Sequence, residues 1–417
     1  MNVLMIHKFH YIEGGAERYV FNLSELLQKK GNVVIPFSMH HPKNDPSPYS
    51  DYFVSYFNPD QLRNSGSLGQ TLKTAGRVIY NKEAQTKLAQ LIEETKPDVA
   101  HIHSIYHHIS PSIFKTLREF KIPVMMTLHD FKLVCPNIVF LDGKNKVCEA
   151  CRGKYFWMAT LKKCFRESYG ASLLVTLEAT LHYLMNSYRG NVDMFHSPSA
   201  FLAKKISSYG YDHKPVKVLP YTLDVNSFQP HYGESDYFVY AGRMSVEKGV
   251  LFLVDAMRRV KGIKLYLIGT GPLDAEIKNR IEKYGLEHVK QLGYQSGDEL
   301  RRIISRAAFT VMPSLCHDNS PLAIYESLSL GNAILGSDNG GIPELIEQGK
   351  DGYIFKAGDE DDFVAQVGKM IREPQACVNM GKLGREKAER LFSPDEHYTQ
   401  IMKFYEQTIE LKHTGNA

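Results

Sequence analysis

The sequence predicts an α/β protein made of two Rossmann-like, doubly wound parallel-sheet domains that face each other across a cleft. Short apolar runs alternate with amphipathic helical patterns, which is typical of parallel sheets covered on both faces. The runs form two groups, one before Leu219 and one after Asp236. A chain of 417 residues with 43% hydrophobic content is long enough for two domains of ordinary size.

The predicted elements follow in order along both halves. The strand-like runs are 33–37, 99–102, 122–128, 192–195, 237–240, 263–268, 309–312 and 333–335. Three helices have apolar residues on one face: Tyr19, Leu23, Leu26 and Leu27; Ala84, Leu88, Leu91 and Ile92; and Val250, Leu253, Val254 and Met257. The predicted domains are 1–219 and 236–393, joined by a linker at 220–235 that has little periodicity. A final helix at 394–417 adjoins no strand, and we expect it to cross back to the first domain.

The two halves carry opposite charge. Up to Leu219 there are 27 basic and 18 acidic residues, and the remainder has 23 and 28, so the halves are formally +9 and −5. Seven basic residues crowd one short segment: Lys144, Lys146, Arg152, Lys154, Lys162, Lys163 and Arg166. Such a cluster keeps a surface soluble, and it also attracts an anionic membrane face. We therefore expect salt-sensitive, peripheral membrane association through the first domain.

Targeting and membrane-spanning segments are not predicted. Residues 1–6 begin as a strand, without the features of a signal peptide, so we expect a cytoplasmic protein at the inner membrane face. The most apolar later stretch, 171–185, contains Glu178 and His182 and is too short to span a bilayer. This stretch predicts a packed helix.

A Gly-Gly turn follows the first strand and precedes the first helix. Gly14 and Gly15 there allow a ligand to approach the backbone closely, and the helix N-terminus attracts an anion. A plain tight turn explains the pair equally well. The full spaced-glycine dinucleotide fingerprint is missing, which counts against a nicotinamide enzyme.

The second domain has the corresponding turn after its own first strand. Arg243 and Lys248 lie five positions apart in Gly-Arg-Met-Ser-Val-Glu-Lys-Gly, where they would place a planar guanidinium and a point charge at a diphosphate. The alternative is two solvated surface cations.

A third motif runs from a strand into a helix. Asp318 and Glu326 are eight positions apart, and Pro321 suits the start of the helix. The loop carboxylate and the helix N-terminal amides are placed to contact different parts of one ligand. A capping Asp and a surface Glu are the alternative.

Together these three motifs resemble the GT-B glycosyltransferases of the retaining family 4, over nearly the whole chain. The resemblance implies that Arg243 and Lys248 bind the donor diphosphate and that Glu326 holds the nucleotide ribose. It also implies that Gly14 and Gly15 close over the phosphate, and that Asp318 contacts the donor sugar where the family has Glu. Further donor contacts are implied for the loop and helix start: Asn319, Pro321, Leu322 and Ala323.

Histidines stand directly after the strand-like run 122–128 and at the strand-like run before it. In the resembling family the histidine that matches His129 lies beside the donor sugar and assists the reaction; a structural histidine is the alternative. His101 and His103 alternate on the preceding strand and so share a face. We expect His103 to line the acceptor side of the cleft rather than to chelate a metal.

Four cysteines form a C-x12-C-x2-C-x12-C array in an insert at about 135–166. They are Cys135, Cys148, Cys151 and Cys164. Four thiols around a central C-x-x-C suit a closed, structural zinc site, and ordinary thiols explain the array as well. Asp359-Glu360-Asp361 matches the Asp-x-Asp metal motif of the other glycosyltransferase fold, but its place after Gly358 predicts a helix N-cap.

The resemblance implies an enzyme that transfers a sugar from a nucleoside diphosphate sugar with retention of configuration and without a catalytic metal. The expected acceptor is a glycan or a polyprenyl-diphosphate-linked glycan in cell-surface polysaccharide synthesis, and no nucleic acid partner is expected. Two alternatives are a GT-B-type nucleotide-sugar epimerase and a non-catalytic, glycosyltransferase-like scaffold.

Overall fold

The first half of the chain forms a six-stranded parallel sheet in the computed structural model, which describes residues 1–57, 76–77 and 79–415. Its strands are β1 (Asn2–Ile6), β2 (Val33–Phe37), β3 (Val99–Ile102), β4 (Val124–Thr127), β5 (Met194–Ser197) and β6 (Val216–Val218). The described α-helices of this half are α1 (Gly15–Lys29), α2 (Lys82–Thr95), α3 (Tyr106–Ile109), α4 (Ile113–Glu119), α5 (Trp157–Leu161), α6 (Tyr169–Leu184) and α7 (Ala200–Ile206).

The second half repeats this architecture. Its strands are β7 (Tyr237–Ala241), β8 (Lys264–Ile268), β9 (Val289–Gly293), β10 (Phe309–Met312), β11 (Ala333–Ser337) and β12 (Gly352–Phe355). Its helices are α8 (Val250–Ala256), α9 (Asp274–Lys283), α10 (Gly297–Ser305), α11 (Leu322–Ser329), α12 (Glu360–Arg372) and α13 (Pro374–Leu391), followed by the long terminal helix α14 (Pro394–Thr414).

Both sheets are doubly wound, with strand orders β2-β1-β3-β4-β5-β6 and β12-β11-β10-β7-β8-β9. The inner strands are buried on both faces, which is why they read as continuous apolar runs. The predicted fold class is thereby confirmed. The unpredicted strands β6, β9 and β12 all lie at sheet edges. In β6 and β9, polar residues such as Lys217 and Lys290 interrupt the apolar pattern, whereas β12 is short and apolar.

The terminal helix α14 packs against the first domain, as expected. The Tyr405 hydroxyl lies 2.8 Å from Nδ1 of His101 on β3. Nε2 of His397 lies 3.1 Å from the hydroxyl of Tyr19 on α1. The last two residues of the predicted helix, 416–417, lie outside the described residues.

The predicted linker is half buried and ties the two domains together. Tyr221, Leu223 and Phe228 belong to one apolar cluster that contains residues of both sheets and of α14. The Leu223 N–H also donates to the Phe392 carbonyl at 3.1 Å. The strands of the two sheets fall on either side of the segment 220–235.

Helix α6 covers the stretch 171–185, and only one of its faces is packed. Ser172 and Glu178 point inward and are buried, whereas Leu173, Leu177 and Leu184 are 48%, 50% and 72% exposed. The helix is thus packed, as predicted, but the face that packs is largely polar and the outer face is apolar. Within the described ranges, no helix combines the length and the apolarity that crossing a bilayer requires.

Candidate active site

Two of the predicted motifs meet at the centre of the second sheet. Strands β7 and β10 are neighbours there, at the point where the strand order reverses. Ligands of doubly wound sheets bind beyond the strand carboxyl ends at this point. The loops that leave the two strands contact each other directly, because the Leu315 N–H donates to the Glu247 carbonyl at 2.9 Å. The sheet topology thus brings together motifs about 70 residues apart in sequence.

Lys248 forms an ion pair with Asp318 across these two loops. Its Nζ lies 2.5 Å from Oδ2 of Asp318, which also accepts a 3.0 Å hydrogen bond from the Ser314 hydroxyl. Burial disfavours the charged ammonium, but Asp318 outweighs this effect and raises the pKa of Lys248. Lys248 is therefore a permanent cation whose position depends on Asp318.

A glycine is required directly after Lys248. Gly249 has a positive φ of 72°, and a Cβ there would lie 1.9 Å from the Pro313 carbonyl oxygen. Only glycine allows this close approach of the β7 and β10 loops. The close approach is what brings Lys248 within reach of Asp318.

Arg243 is exposed in the cleft between the domains. In the part of the chain that the structure describes, its guanidinium makes no hydrogen bond or ion pair, while its carbonyl accepts from the Tyr240 hydroxyl at 2.7 Å. The backbone is thus fixed and the cation is available to a ligand. A planar guanidinium in this state suits an incoming diphosphate.

The cleft has a volume of about 1160 Å³ and is lined by both domains. This volume is ample for a ligand of nucleoside diphosphate sugar size. Of the predicted site residues, the lining includes Arg243, Ala323 and Glu326. The first domain contributes Ile12, Glu13 and Arg18, among others, and the β8 loop contributes Gly269–Thr270–Gly271.

Helix α11 points its N-terminus toward this region. Pro321 is its N-cap, one position before the predicted first turn, and Leu322 and Ala323 open the helix. The Ile324 N–H of this first turn donates to the Pro321 carbonyl at 2.9 Å, which leaves the N–H groups of Leu322 and Ala323 to face an anion. Glu326 follows one turn later, as predicted, and is mostly buried.

Glu326 forms an ion pair with Arg18 across the cleft. Arg18 belongs to the first turn of α1, directly after the predicted glycine turn. This contact was missed, although the sequence contains a signal for it. A cation in the first turn of a helix opposes the helix dipole, which indicates a partner outside the helix.

The glycine turn of the first domain contacts the second domain. A Cβ on Gly15 would lie 3.5 Å from Cδ1 of Leu322, so this turn reaches the start of α11. The Gly14 N–H donates to the Glu17 carboxylate at 3.0 Å, which fixes the turn. Gly14 has extended backbone angles. A Cβ on Gly15 would make only an ordinary van der Waals contact with Leu322, so the structure does not require glycine at this position.

Asn319 joins the two domains instead of pointing into the cleft. Its Oδ1 accepts from the Ser199 hydroxyl at 2.6 Å, and its Nδ2 donates to the carbonyls of Leu128 and His129 at 3.2 and 3.3 Å. These bonds use its side-chain amide fully. The predicted donor contact by the Asn319 side chain is therefore not supported, because the side chain is occupied by the first domain.

The His129 ring is held on both sides. Its Nδ1 lies 2.8 Å from the Tyr221 hydroxyl, and its Nε2 lies 2.9 Å from Nδ1 of His103. Burial lowers the pKa of His129 well below its ordinary value. The ring is thus neutral at physiological pH and has no free nitrogen, which favours a positioning role over proton transfer.

His103 does not line the acceptor side of the cleft. Its side chain is fully buried between His129 and Met5, whose sulfur lies 3.0 Å from Nε2. The prediction for His103 is wrong, because the alternating face of β3 that it shares with His101 points into the domain core beneath α14. His103 instead supports His129 from behind.

The four cysteines of the insert are close neighbours with free thiols. Burial and the neighbouring thiols raise the pKa of Cys151 and Cys164 to about 12. Among the described residues, no three His, Cys, Asp or Glu side chains are arranged to hold a metal ion. The predicted structural zinc therefore gains no support from this geometry and stays a prediction.

The insert also reaches the loop that carries Asp318. Oε1 of Glu149, next to Cys148, lies 3.6 Å from Nε2 of His317 and accepts a 2.7 Å hydrogen bond from Lys205. This contact was not predicted, because no pattern along the chain links Glu149 in the insert to His317, 168 positions away. Elsewhere, Asp359 caps α12 by accepting from the Asp362 N–H at 3.1 Å, as predicted.

Two family models match the chain and together cover residues 13–387. Glycosyltransferase Family 4 matches residues 13–227, and Glycosyl transferases group 1 matches residues 225–387. The boundary between the two matches falls in the segment 220–235 that joins the sheets.

Curated relatives are distant. An uncharacterized glycosyltransferase of Methanocaldococcus jannaschii, MJ1178, is 26% identical over 42% of this chain and 50% of its own length. The amylovoran biosynthesis glycosyltransferase AmsK of Erwinia amylovora is 27% identical over 40% of this chain and 43% of its own length. The chain thus spans half or less of the length of these two relatives. N-acetyl-alpha-D-glucosaminyl L-malate synthase of Bacillus anthracis is 23% identical over 78% of this chain and 79% of its own length.

Solved structures share the fold along almost the whole chain. Sucrose-phosphate synthase from Thermosynechococcus elongatus has a TM-score of 0.71 at 18% identity, covering 97% of this chain and 98% of that protein. Anabaena HepE, solved in complex with UDP, has a TM-score of 0.67 at 15% identity, covering 98% and 100%. Both comparisons support the GT-B arrangement of the two sheets. The chain belongs to glycosyltransferase family 4 and has the GT-B fold.

Proposed function

We propose that the protein transfers a sugar from a nucleoside diphosphate sugar, bound chiefly by the second domain, to a glycan or lipid-linked glycan bound by the first. The observation that carries this proposal is the arrangement at the switch point of the second sheet. Arg243 and Glu326 line the cleft there, and the Lys248–Asp318 pair joins the loops that leave β7 and β10. The HepE structures that contain UDP and UDP-glucose share this fold, and AmsK is named for polysaccharide biosynthesis. These two relatives support the choice of donor and acceptor class.

The departing diphosphate presents the main chemical difficulty of this reaction. As the bond between the anomeric carbon and the phosphate oxygen breaks, negative charge grows on the leaving group. Arg243, Lys248 and the first N–H groups of α11 are the groups that would stabilise this charge. A site with these donors needs no metal ion for that purpose, so we propose metal-independent transfer.

Retention of configuration is part of the proposal. The acceptor hydroxyl attacks the anomeric carbon from the face that the diphosphate leaves, and its proton passes to the departing phosphate oxygen. Asp318 is held by Lys248 and Ser314, which disfavours its use as a covalent nucleophile. Both nitrogens of His129 are also occupied, so the leaving phosphate is the available base.

Product analysis with the donor alone tests the reaction type. Purified protein is incubated with UDP-sugars and GDP-sugars, with and without an extracted lipid-linked glycan acceptor, and both nucleotide products and sugar products are identified. We expect release of the nucleoside diphosphate to depend on acceptor and a new glycosidic bond of retained configuration. Conversion of the donor sugar to its epimer without acceptor would instead establish the epimerase. Failure of every nucleotide sugar to bind would favour the scaffold.

A further inference from the structure

An unusual apolar surface lies on the first domain, far along the chain from the motifs of the donor site. Nine large apolar residues within positions 155–185 are more than a third exposed: Tyr155, Trp157, Leu161, Tyr169, Leu173, Leu174, Leu177, Leu184 and Met185. We call these nine residues the apolar face. They come from α5, from α6 and from the segments beside these helices. A patch of this kind on a protein surface marks an interaction site.

Helix α6 has an inverted pattern of polarity. Its buried residues include Ser172, Thr176, Glu178 and His182, while the leucines of the apolar face point outward. A helix that packs on a soluble domain has the opposite pattern, with its apolar stripe facing the core. The outer face of α6 therefore suits contact with an apolar environment outside the protein.

A buried ion pair fixes this orientation. Nζ of Lys132 lies 2.8 Å from Oε2 of Glu178, and Nδ1 of His107 lies 3.2 Å from Oε1. Burial alone would raise the pKa of Glu178, but Lys132 and His107 hold that pKa far below its ordinary value. Turning α6 to bury its leucines would break this pair and leave a buried charge unpaired.

Basic residues are concentrated in the segment that carries the apolar face, and we call them its basic rim. Between residues 150 and 190 the chain has six basic and two acidic residues, and one of the acidic pair is the buried Glu178. Two of the cations lie over aromatic rings of this region, Lys163 4.3 Å from the Tyr169 ring centre and Lys154 4.9 Å from that of Tyr183. An apolar centre with a basic rim and an exposed tryptophan is typical of a surface that lies in the headgroup region of an anionic bilayer.

We propose that the apolar face docks on an anionic lipid bilayer, with the leucines of α6 and with Trp157 inserted among the lipid chains. A second copy of the chain fits less well, because a two-fold contact would place each basic rim against the other. The docked surface includes the helix whose inner face contacts Lys132, three residues after His129. Docking therefore holds the carboxyl end of β4 close to the membrane.

Vesicle binding of the full chain tests this proposal, with Trp157 as the probe because it is the single tryptophan. We expect the protein to sediment with vesicles of equal phosphatidylglycerol and phosphatidylcholine at low salt, to bind pure phosphatidylcholine less, and to show a blue-shifted Trp157 emission that brominated lipids quench. The double variant Leu173→Gln/Leu177→Gln should lose at least about tenfold in vesicle affinity.

The matched control is Leu383→Gln/Leu391→Gln, which alters two leucines of α13 that are each 47% exposed. It should bind vesicles like the unaltered chain, and both variants should keep the thermal midpoint. Equal vesicle binding by both double variants would overturn the proposal. So would lipid-free dimers, seen by sedimentation velocity, that only the α6 variant abolishes. Vesicle binding requires no sugar transfer, so its failure is separate from failure of the proposed function.

Discussion

Replacement of Arg243 with Ala is expected to lower the rate of sugar transfer about 10²- to 10³-fold, the usual cost of one donor that stabilises charge at the transition state. Arg243 is exposed in the cleft and, among the described residues, its guanidinium has no protein partner. Its removal should therefore leave the fold intact and affect mainly the charge that grows on the leaving diphosphate. Steady-state kinetics with saturating donor measures the effect as a fall in kcat.

The control for Arg243 is Arg306→Ala, because Arg306 is an exposed arginine at the end of α10 in the same domain. We expect its kcat and thermal midpoint to match those of the unaltered enzyme. An Arg243→Ala enzyme with full kcat would remove Arg243 from the diphosphate site. A Lys248→Ala variant would test the same idea less directly, because its loss of activity would also include the effect of leaving Asp318 without its ion-pair partner.

Acid should destabilise the folded protein strongly between pH 6.5 and 4. Burial lowers the pKa of His7 and His397 to about 3, and that of His196 to about 4. In the unfolded chain these rings titrate near pH 6.5, so below that pH the unfolded state binds more protons and the free energy of unfolding falls. At pH 5 each such histidine lowers the free energy of unfolding by about 2 kcal/mol relative to pH 7.5. Urea unfolding at pH 7.5, 6 and 5 measures the total.

One variant isolates a single histidine of this set. His397→Gln keeps a polar group beside the Tyr19 hydroxyl and removes one titrating ring, so the dependence of unfolding free energy on pH should become weaker. His213→Gln is the control, because His213 is exposed, and it should leave that dependence unchanged. An unfolding free energy that stays constant from pH 7.5 to 5 would contradict the neutral, buried state of these rings.

The fold could be predicted from local patterns because a strand that is buried on both faces of a sheet has a continuous run of apolar residues. Continuous apolar runs identified the inner strands, and polar residues hid the edge strands β6 and β9, which are covered on fewer sides. The position of the C-terminal helix was predicted correctly, because its apolar residues indicated that one face packs against the protein. Ile401 and Tyr405 on that face are fully buried.

The positions of the site motifs at the ends of strands were predictable from the sequence, but the pairings of their side chains were not. Arg243, Asp318 and Glu326 stand in motifs whose order fixes their strand ends, which the topology then brings together. Partners such as Arg18 for Glu326 come from the other domain, and no spacing along the chain encodes a contact between residues 308 positions apart.

The errors have a similar origin. His103 was expected in the cleft because alternation along a strand assigns residues to two faces but does not show which of the two faces is buried. The packed helix at 171–185 was predicted from its apolar content, but that content did not show that the polar face, with Glu178, is the buried one.

The most direct test of the account is the position of a nucleoside diphosphate in a structure determined with the ligand bound. We predict that the diphosphate oxygens lie about 2.7–3.1 Å from the Arg243 guanidinium and from the first N–H groups of α11. We also expect the ribose hydroxyls to lie at the Glu326 carboxylate. A nucleotide bound instead in the separate first-domain pocket beside His10 and Tyr49, with Arg243 free, would contradict the account.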